Sequence, residues 1–383
     1  MNKSLIALAI GTFALGITEF GMMGILGDVA EGVGVSIVKA GNLISLYSLG
    51  VAVGAPMLLL FRNSPLKSLM LILSGIIFIG NLAASLAVSY PMLLCARFVS
   101  GLPHGAYFGA GAIVCSRLAK KGAGAQAVAL MVGGMTLANL LGVPLATMLS
   151  NLLSWRMVFA GVALIGFLAF LFIRIWVPYL SPLPKSDIKE QFRFLSRPAP
   201  WLIYAGVFFG QASVYCWLSY IDPIMTEVTR FSASSMTWVM MLAGTGMVIG
   251  NAISGKMADK YGVLLVTGCL AASMLIVMPL LYFAAPYKLP SLILMFLATS
   301  GLFGIGGPLQ YLIVKYAKGG EMLGGAGIQI AFNVSNAMSA AVGGLAIHHG
   351  FGLASPALAG IPFAAIGATA LFILHRKYDS RHS

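Results

Sequence analysis

The stretch Gly11–Leu26, GTFALGITEFGMMGIL, holds a single carboxylate, Glu19, deep in an apolar run. The run begins near Ser4 and stays apolar, Glu19 apart, until Asp28. That is long enough to cross a bilayer, which takes about 20 apolar residues at about 1.5 Å rise each. An ionisable group at such a depth is costly, so it is rare and marks function. The other apolar runs read as scaffolding around this carboxylate and one arginine, Arg97.

Composition supports a membrane reading. Of 383 residues, 59% are hydrophobic and 9% charged. Soluble domains carry about 25% charged residues, and so little charge could not cover a soluble globule of this length. The net charge of +13 does not point to nucleic acid, because the basic residues fall in short loops between apolar runs. Cys95, Cys115, Cys216 and Cys269 all lie within apolar runs, with no zinc spacing and no paired loop positions. No disulfide, metal site or cofactor is therefore expected. The opening MNKS leads into a run too long for a signal-peptide core and without a convincing cleavage site, so it reads as a retained first helix.

Twelve apolar runs can be marked, roughly at 4–26, 38–61, 67–88, 91–116, 124–149, 156–178, 201–222, 233–255, 262–284, 289–315, 322–347 and 355–376. Each is long enough to span, and in lipid each must be a helix to satisfy its own backbone. With the N-terminus placed inside, eighteen of the 23 lysines and arginines fall on the inner side. Four fall outside (Lys39, Arg156, Arg230 and Lys288), and Arg97 lies within a helix. This asymmetry predicts that both termini are cytoplasmic.

The only long connection, Tyr179–Pro200, carries four prolines and most of its other polar residues are charged. It divides the chain into a six-helix bundle at 1–178, a linker at 179–200 and a second bundle at 201–383. Within the linker, Asp187–Leu195 places Ile188, Phe192 and Leu195 at helical spacing, which reads either as a short amphipathic helix on the membrane face or as a solvated connection. The halves repeat weakly at an offset of 196: Phe13 matches Phe209, Gly50 matches Gly246, and Gly54 matches Gly250. Near the same offset Asn139 matches Asn336. Duplicated halves around a midplane site are a transporter architecture.

Four segments carry a family resemblance. GKMADKYG at 255–262 resembles the cytoplasmic loop signature of the major facilitator superfamily, with Gly255, Asp259, Lys260 and Gly262 in its positions. The first-half equivalent, FRNSPLK at 61–67, lacks the aspartate. RFVSG at 97–101 resembles the arginine motif of that family. GMTLANLLGVP at 134–144 resembles its antiporter motif through Gly134, Ala138, Asn139, Gly142 and Pro144, although Ala146 and Thr147 stand where a last glycine pair is usual. Thr18-Glu19-Phe20 and Pro103-His104-Gly105 resemble the drug:proton antiporter branch. Within that branch the chain is similar to the AraJ-type arabinose efflux permeases over nearly its whole length, including 196–201 and 329–333.

The resemblance implies an all-α polytopic fold of two pseudo-symmetric bundles, alternating access, and exchange of protons for a small-molecule substrate such as a sugar or drug-like compound. It implies a monomer in the bilayer of the bacterial inner membrane, with no enzymatic activity and no nucleic-acid partner. An uptake symporter on the same fold is the alternative mechanism, and a non-transporting sensor is the alternative class. Helices one, four, seven and ten would line the cavity. Glu19 and Arg97 would couple protons; His104, Tyr107, Gln211, Tyr215, Trp217, Gln310 and Asn333 would face substrate. Asp259 and Lys260 would lock the cytoplasmic mouth. Read from the residues alone, His104 is a packing histidine, and Asn139, Asn333 and Asn336 join helices. Counting about 1.5 Å per residue from Ser4 and from Pro91 puts Glu19 and Arg97 at about the same depth.

Overall fold

The computed structural model describes residues 3–57, 64–119, 124–182, 192–317 and 321–379. Among these residues twelve helices are long and apolar enough to cross a membrane. They are α1 (Lys3–Gly32), α2 (Ile37–Pro56), α3 (Leu66–Ser85), α4 (Tyr90–Leu118), α5 (Leu130–Leu152) and α6 (Trp155–Trp176), then α7 (Pro198–Leu218), α8 (Ala233–Ala258), α9 (Val263–Ala284), α10 (Lys288–Ile313), α11 (Leu323–His348) and α12 (Pro356–Tyr378). Among the described residues there is no strand.

Local chemistry sets the helix ends. Pro91 and Pro198 sit in the first turns of α4 and α7, where a missing N–H leaves nothing unsatisfied. Ser154 caps α6, its Oγ accepting from the Arg156 amide at 3.2 Å. The helix of α8 continues to Tyr261 and stops at Gly262, whose φ of 91° would strain any side chain.

Among the described residues, α12 is interrupted at Gly360 and ends in a π turn at His375–Asp379, and three spans of the first unit are irregular. In α1 a 3-10 turn at Gly21–Ile25 precedes a further regular segment, Leu26–Gly32. The helix therefore runs past the expected end at 26 and carries Asp28, which accepts a short hydrogen bond from Ser150 of α5. α4 is interrupted at Leu102, between Tyr90–Gly101 and Pro103–Leu118. In α5 a turn of π-helix at Ala138–Gly142 comes directly before Pro144. A proline in mid-helix removes one hydrogen bond and crowds the carbonyl four residues back, and a widened turn accommodates both.

The chain forms two compact units. The first comprises residues up to Ser36 and Leu46–Lys185; the second comprises Ile37–Ser45 and Ser186 onward. The first two turns of α2 thus group with the second unit. In the first unit α3 packs on α4 and α6, and α1 on α5 and α6. In the second, α7 packs on α11 and α12, α8 on α10, and α9 on α10 and α12.

The glycine repeat has a structural meaning. A methyl at Gly50 or Gly54 of α2 would overlap the carbonyl oxygens of Phe98 and Leu102 on α4. A methyl at Gly246 or Gly250 of α8 would overlap Thr299 and Ser300 of α10. The same pair of helices in each half approaches through the same matched glycines. Without a hydrophobic force between helices in lipid, such close approach is what holds them. Large apolar side chains such as Ile79, Leu86, Leu164, Ile276 and Phe283 stay exposed on the outside, where acyl chains would cover them.

Only the two ends of the linker are described. Residues 183–191, with Ile188 and most of the proposed amphipathic segment, lie outside the described residues. Arg193–Ser196 forms a 3-10 turn, and it is Phe194 that is buried while Phe192 is exposed. Phe194 enters the core of the second unit with Ile203, Ile313 and Leu371. Leu195, the last residue of the expected stripe, packs against the same core.

Candidate functional site

Glu19 is 1% exposed, and Arg97 and His104 are fully buried. All three belong to the first unit. Burying such groups is tolerated only when their charges and donors are answered. Arg97 donates from Nη1 to the carbonyl oxygen of Thr18 at 2.8 Å, one residue from Glu19. Its guanidinium lies over the ring of Tyr47, 4.4 Å from the centroid, and 5.8 Å from that of Phe159. Arg97, Tyr47 and Glu19 are within electrostatic reach of one another.

His104 is packed and also makes polar contacts. Its Nε2 is 3.7 Å from Glu19 Oε2. Its Nδ1 is 2.8 Å from the Tyr47 hydroxyl, and its ring stacks on Phe108 with centroids 5.3 Å apart. The break before Pro103 separates the helical segment holding Arg97 from the one holding His104. One helix therefore presents a cation and an imidazole to the same carboxylate. Tyr107 points elsewhere, donating to the Leu8 carbonyl at 3.2 Å, with its ring where a side chain at Gly11 would be.

Around this cluster the antiporter-motif residues fix α5 against α1. A methyl at Gly134 would overlap the Ala9 carbonyl and the Thr12 hydroxyl. Gly16 faces Ala138, and Gly142 faces Ile17 and Phe13. Asn139 is buried in the π turn, and its Oδ1 has no hydrogen-bond partner among the described residues. Asn139 does not join helices through that oxygen.

The second unit holds the other expected residues. Gln211 of α7 donates to the Leu302 carbonyl at 2.9 Å. Tyr215 is buried edge-on to Phe332, ring centroids 5.4 Å apart, and Trp217 is buried. Gln310 is half-buried and reaches the Gly325 carbonyl at 3.5 Å. Asn333 donates to Gln329 within its own helix at 2.9 Å. Asn336 is fully buried, and neither of its amide atoms is hydrogen-bonded among the described residues. Neither asparagine of α11 therefore ties two helices together. The acceptor oxygens of Gln211, Gln310 and Asn333 are likewise without a partner among the described residues.

In the loop signature, Lys260 is exposed and lies 4.9 Å over Tyr261, and Gly262 supplies the turn. A side chain at Gly255 would meet open space. The side chain of Asp259 lies outside the described ones.

Tyr47 was not singled out from the sequence. The available signal was a phenol inside the apolar run of α2, LISLYSLG at 43–50, where a buried hydroxyl needs a partner.

Twelve membrane-length helices, with a carboxylate, an imidazole, a phenol and a guanidinium buried inside the first unit, have the build of a multi-pass secondary transporter. The sequence profile of the Major Facilitator Superfamily matches residues 8–328, and the chain belongs to that family. It is 45% identical to AraJ of Escherichia coli (strain K12), over 99% of this chain and 97% of that one. It is 34% identical to the inner membrane transport protein YdhP of the same strain, over 98% and 97%. A bacterial homolog of the human lysosomal transporter Spinster, in an inward-facing and unoccupied conformation, has the same fold, with a TM-score of 0.74 at 17% identity over 98% of this chain and 97% of that one. So does a D-xylose-proton symporter, with a TM-score of 0.74 at 14% identity over 97% and 96%. The chain is a multi-pass protein of the bacterial inner membrane.

Proposed function

We propose that this transporter exports a small solute in exchange for protons by alternating access. The observation that carries the reading is Glu19, an almost fully buried carboxylate held among Arg97, His104 and Tyr47. Glu19 is the proton carrier, and Arg97 responds to its charge. The Gly134–Pro144 pattern on α5 favours exchange over symport. The halves 1–178 and 201–383 rock about the substrate, joined by the linker at 179–200, and Asp259 with Lys260 latches one state. The chain works as a monomer.

The unpartnered amide groups of the second unit support a neutral, hydrogen-bonding solute such as an arabinose-like sugar. Among the described residues, Gln211, Gln310 and Asn333 offer unpaired acceptor oxygens and Asn336 both a donor and an acceptor, and an unpaired buried polar atom is costly until a ligand answers it. Tyr215 and Trp217 supply aromatic surface nearby in sequence.

The test uses proteoliposomes containing a pH-sensitive dye, with L-arabinose or ethidium added outside. Exchange carries solute in and protons out, so the internal pH rises; symport lowers it. A fall would overturn the export reading. No change with any probe solute, alongside unchanged behaviour of Glu19→Gln, would overturn the proton reading.

A further inference from the structure

Tyr47 touches both functional neighbours of Glu19. Its ring face carries the Arg97 guanidinium at 4.4 Å. Its hydroxyl lies 2.8 Å from His104 Nδ1. The opposite nitrogen of that imidazole, Nε2, is 3.7 Å from Glu19 Oε2, about half an ångström beyond hydrogen-bond range. A neutral imidazole has one N–H and one lone pair. What the phenol does at Nδ1 therefore decides what Nε2 offers the carboxylate.

We propose that Tyr47 is a positioning residue that sets the tautomer of His104, so that loading a proton on Glu19 inverts that tautomer. The proposal rests on Glu19 being the proton carrier. With Glu19 ionised, the Tyr47 hydroxyl donates to Nδ1, and the proton on Nε2 faces the carboxylate. When Glu19 binds one proton from solution, its hydroxyl donates to a bare Nε2, and the imidazole proton sits on Nδ1 and donates to the phenol oxygen. The imidazole and the phenol carry one exchangeable proton each in both states, and Glu19 carries the one gained. The phenol hydrogen turns away from Nδ1 in the loaded state. Occupancy of Glu19 is thus written into the orientation of a hydroxyl on the ring that supports Arg97. A second cation beside Arg97 in a buried shell would be costly, so the imidazole stays neutral throughout.

The ionisable groups facing this relay are few. α1 brings Glu19, α2 brings Tyr47, and α4 brings Arg97, His104 and Tyr107, whose hydroxyl donates to the Leu8 carbonyl. α5 has no ionisable residue within its span, α6 has Arg156 and Arg174 only towards its ends, and α3 has only Lys67 at its first turn.

The experiment is done on the full-length protein in liposomes without any solute. Infrared difference spectra follow the protonated carboxyl band of Glu19, assigned by its loss in Glu19→Gln. Nitrogen-15 magnetic resonance follows the His104 ring, assigned by its loss in His104→Gln. The expected result is a neutral His104 whose proton moves from Nε2 to Nδ1 over the pH range in which the carboxyl band appears. In Tyr47→Phe, which keeps the ring over Arg97, that inversion is lost and the carboxyl midpoint moves by up to about one pH unit, the worth of one neutral hydrogen bond. In a His104→Gln background Tyr47→Phe moves it no further. A titrating Glu19 that ignores Tyr47→Phe, or an imidazolium at His104, would overturn the relay while leaving Glu19 as carrier. Absence of any titrating carboxyl would overturn the carrier reading and the relay with it.

Discussion

At the scale of single residues, the chemistry is concentrated in a shell of four side chains. Glu19→Gln keeps the shape of the site and removes the charge, so the variant should insert and fold yet show no proton-driven transport. Arg97 has more to lose, since it holds a carbonyl of α1 and stacks on two aromatic rings. Either substitution breaks the buried charge arrangement, but Arg97→Gln also gives up the Thr18 carbonyl and both ring contacts, so it should lower the thermal midpoint of the detergent-solubilised protein further than Glu19→Gln does. The two effects should not add. In a double-mutant cycle on solute affinity across pH, Arg97→Gln should matter less once Glu19 is Gln, and strict additivity would separate the two residues. Glu19 and Arg97 were legible in the sequence because a charge in an apolar run is conspicuous. Tyr47 was not, because a tyrosine in an apolar run is ordinary and only its neighbours give it a task. His104 was seen without its surroundings, since helical spacing places it on α4 without saying which side chain of α1 it meets.

At the scale of elements, close helix approach is decided by individual glycines. Gly134 abuts the backbone of α1, whereas Gly133, its neighbour on α5, has open space where a Cβ would be. Gly134→Ala should therefore cost about 1–3 kcal/mol through overpacking and reduce transport, because a carbonyl oxygen cannot rotate away as a side chain can. Gly133→Ala should be neutral or stabilising by up to about 1 kcal/mol, since alanine is the better helix former. Thermal unfolding of the two variants side by side checks the pair, and equal effects would contradict the packing. The twelve spans and the Gly50/Gly246 and Gly54/Gly250 matches were readable as apolar runs and as a weak repeat. The π turn at Ala138–Gly142 and the break at Leu102, each beside a proline, and the 3-10 turn in α1 were not, because they fall within runs that read as continuous helix.

At the scale of the whole molecule, the distribution of lysine and arginine predicts orientation. Alkaline phosphatase fused after the last helix should be inactive, and the same enzyme inserted near Arg230 or Lys288 should be active. The reverse pattern would invert the topology. The sequence by itself determined that this chain lives in a membrane, that it has twelve runs long enough to cross it, and that a carboxylate and an arginine lie within those runs. Those properties follow from the cost of leaving backbone or charge in hydrocarbon, a cost each segment meets alone. The tertiary structure alone decided which groups surround that carboxylate, that Phe194 rather than Phe192 anchors the described end of the linker, and that the first two turns of α2 group with the second unit. Those depend on rotation of each helix about its axis and on which neighbour it meets. Neither is fixed by the hydrophobicity of a run whose every face is apolar.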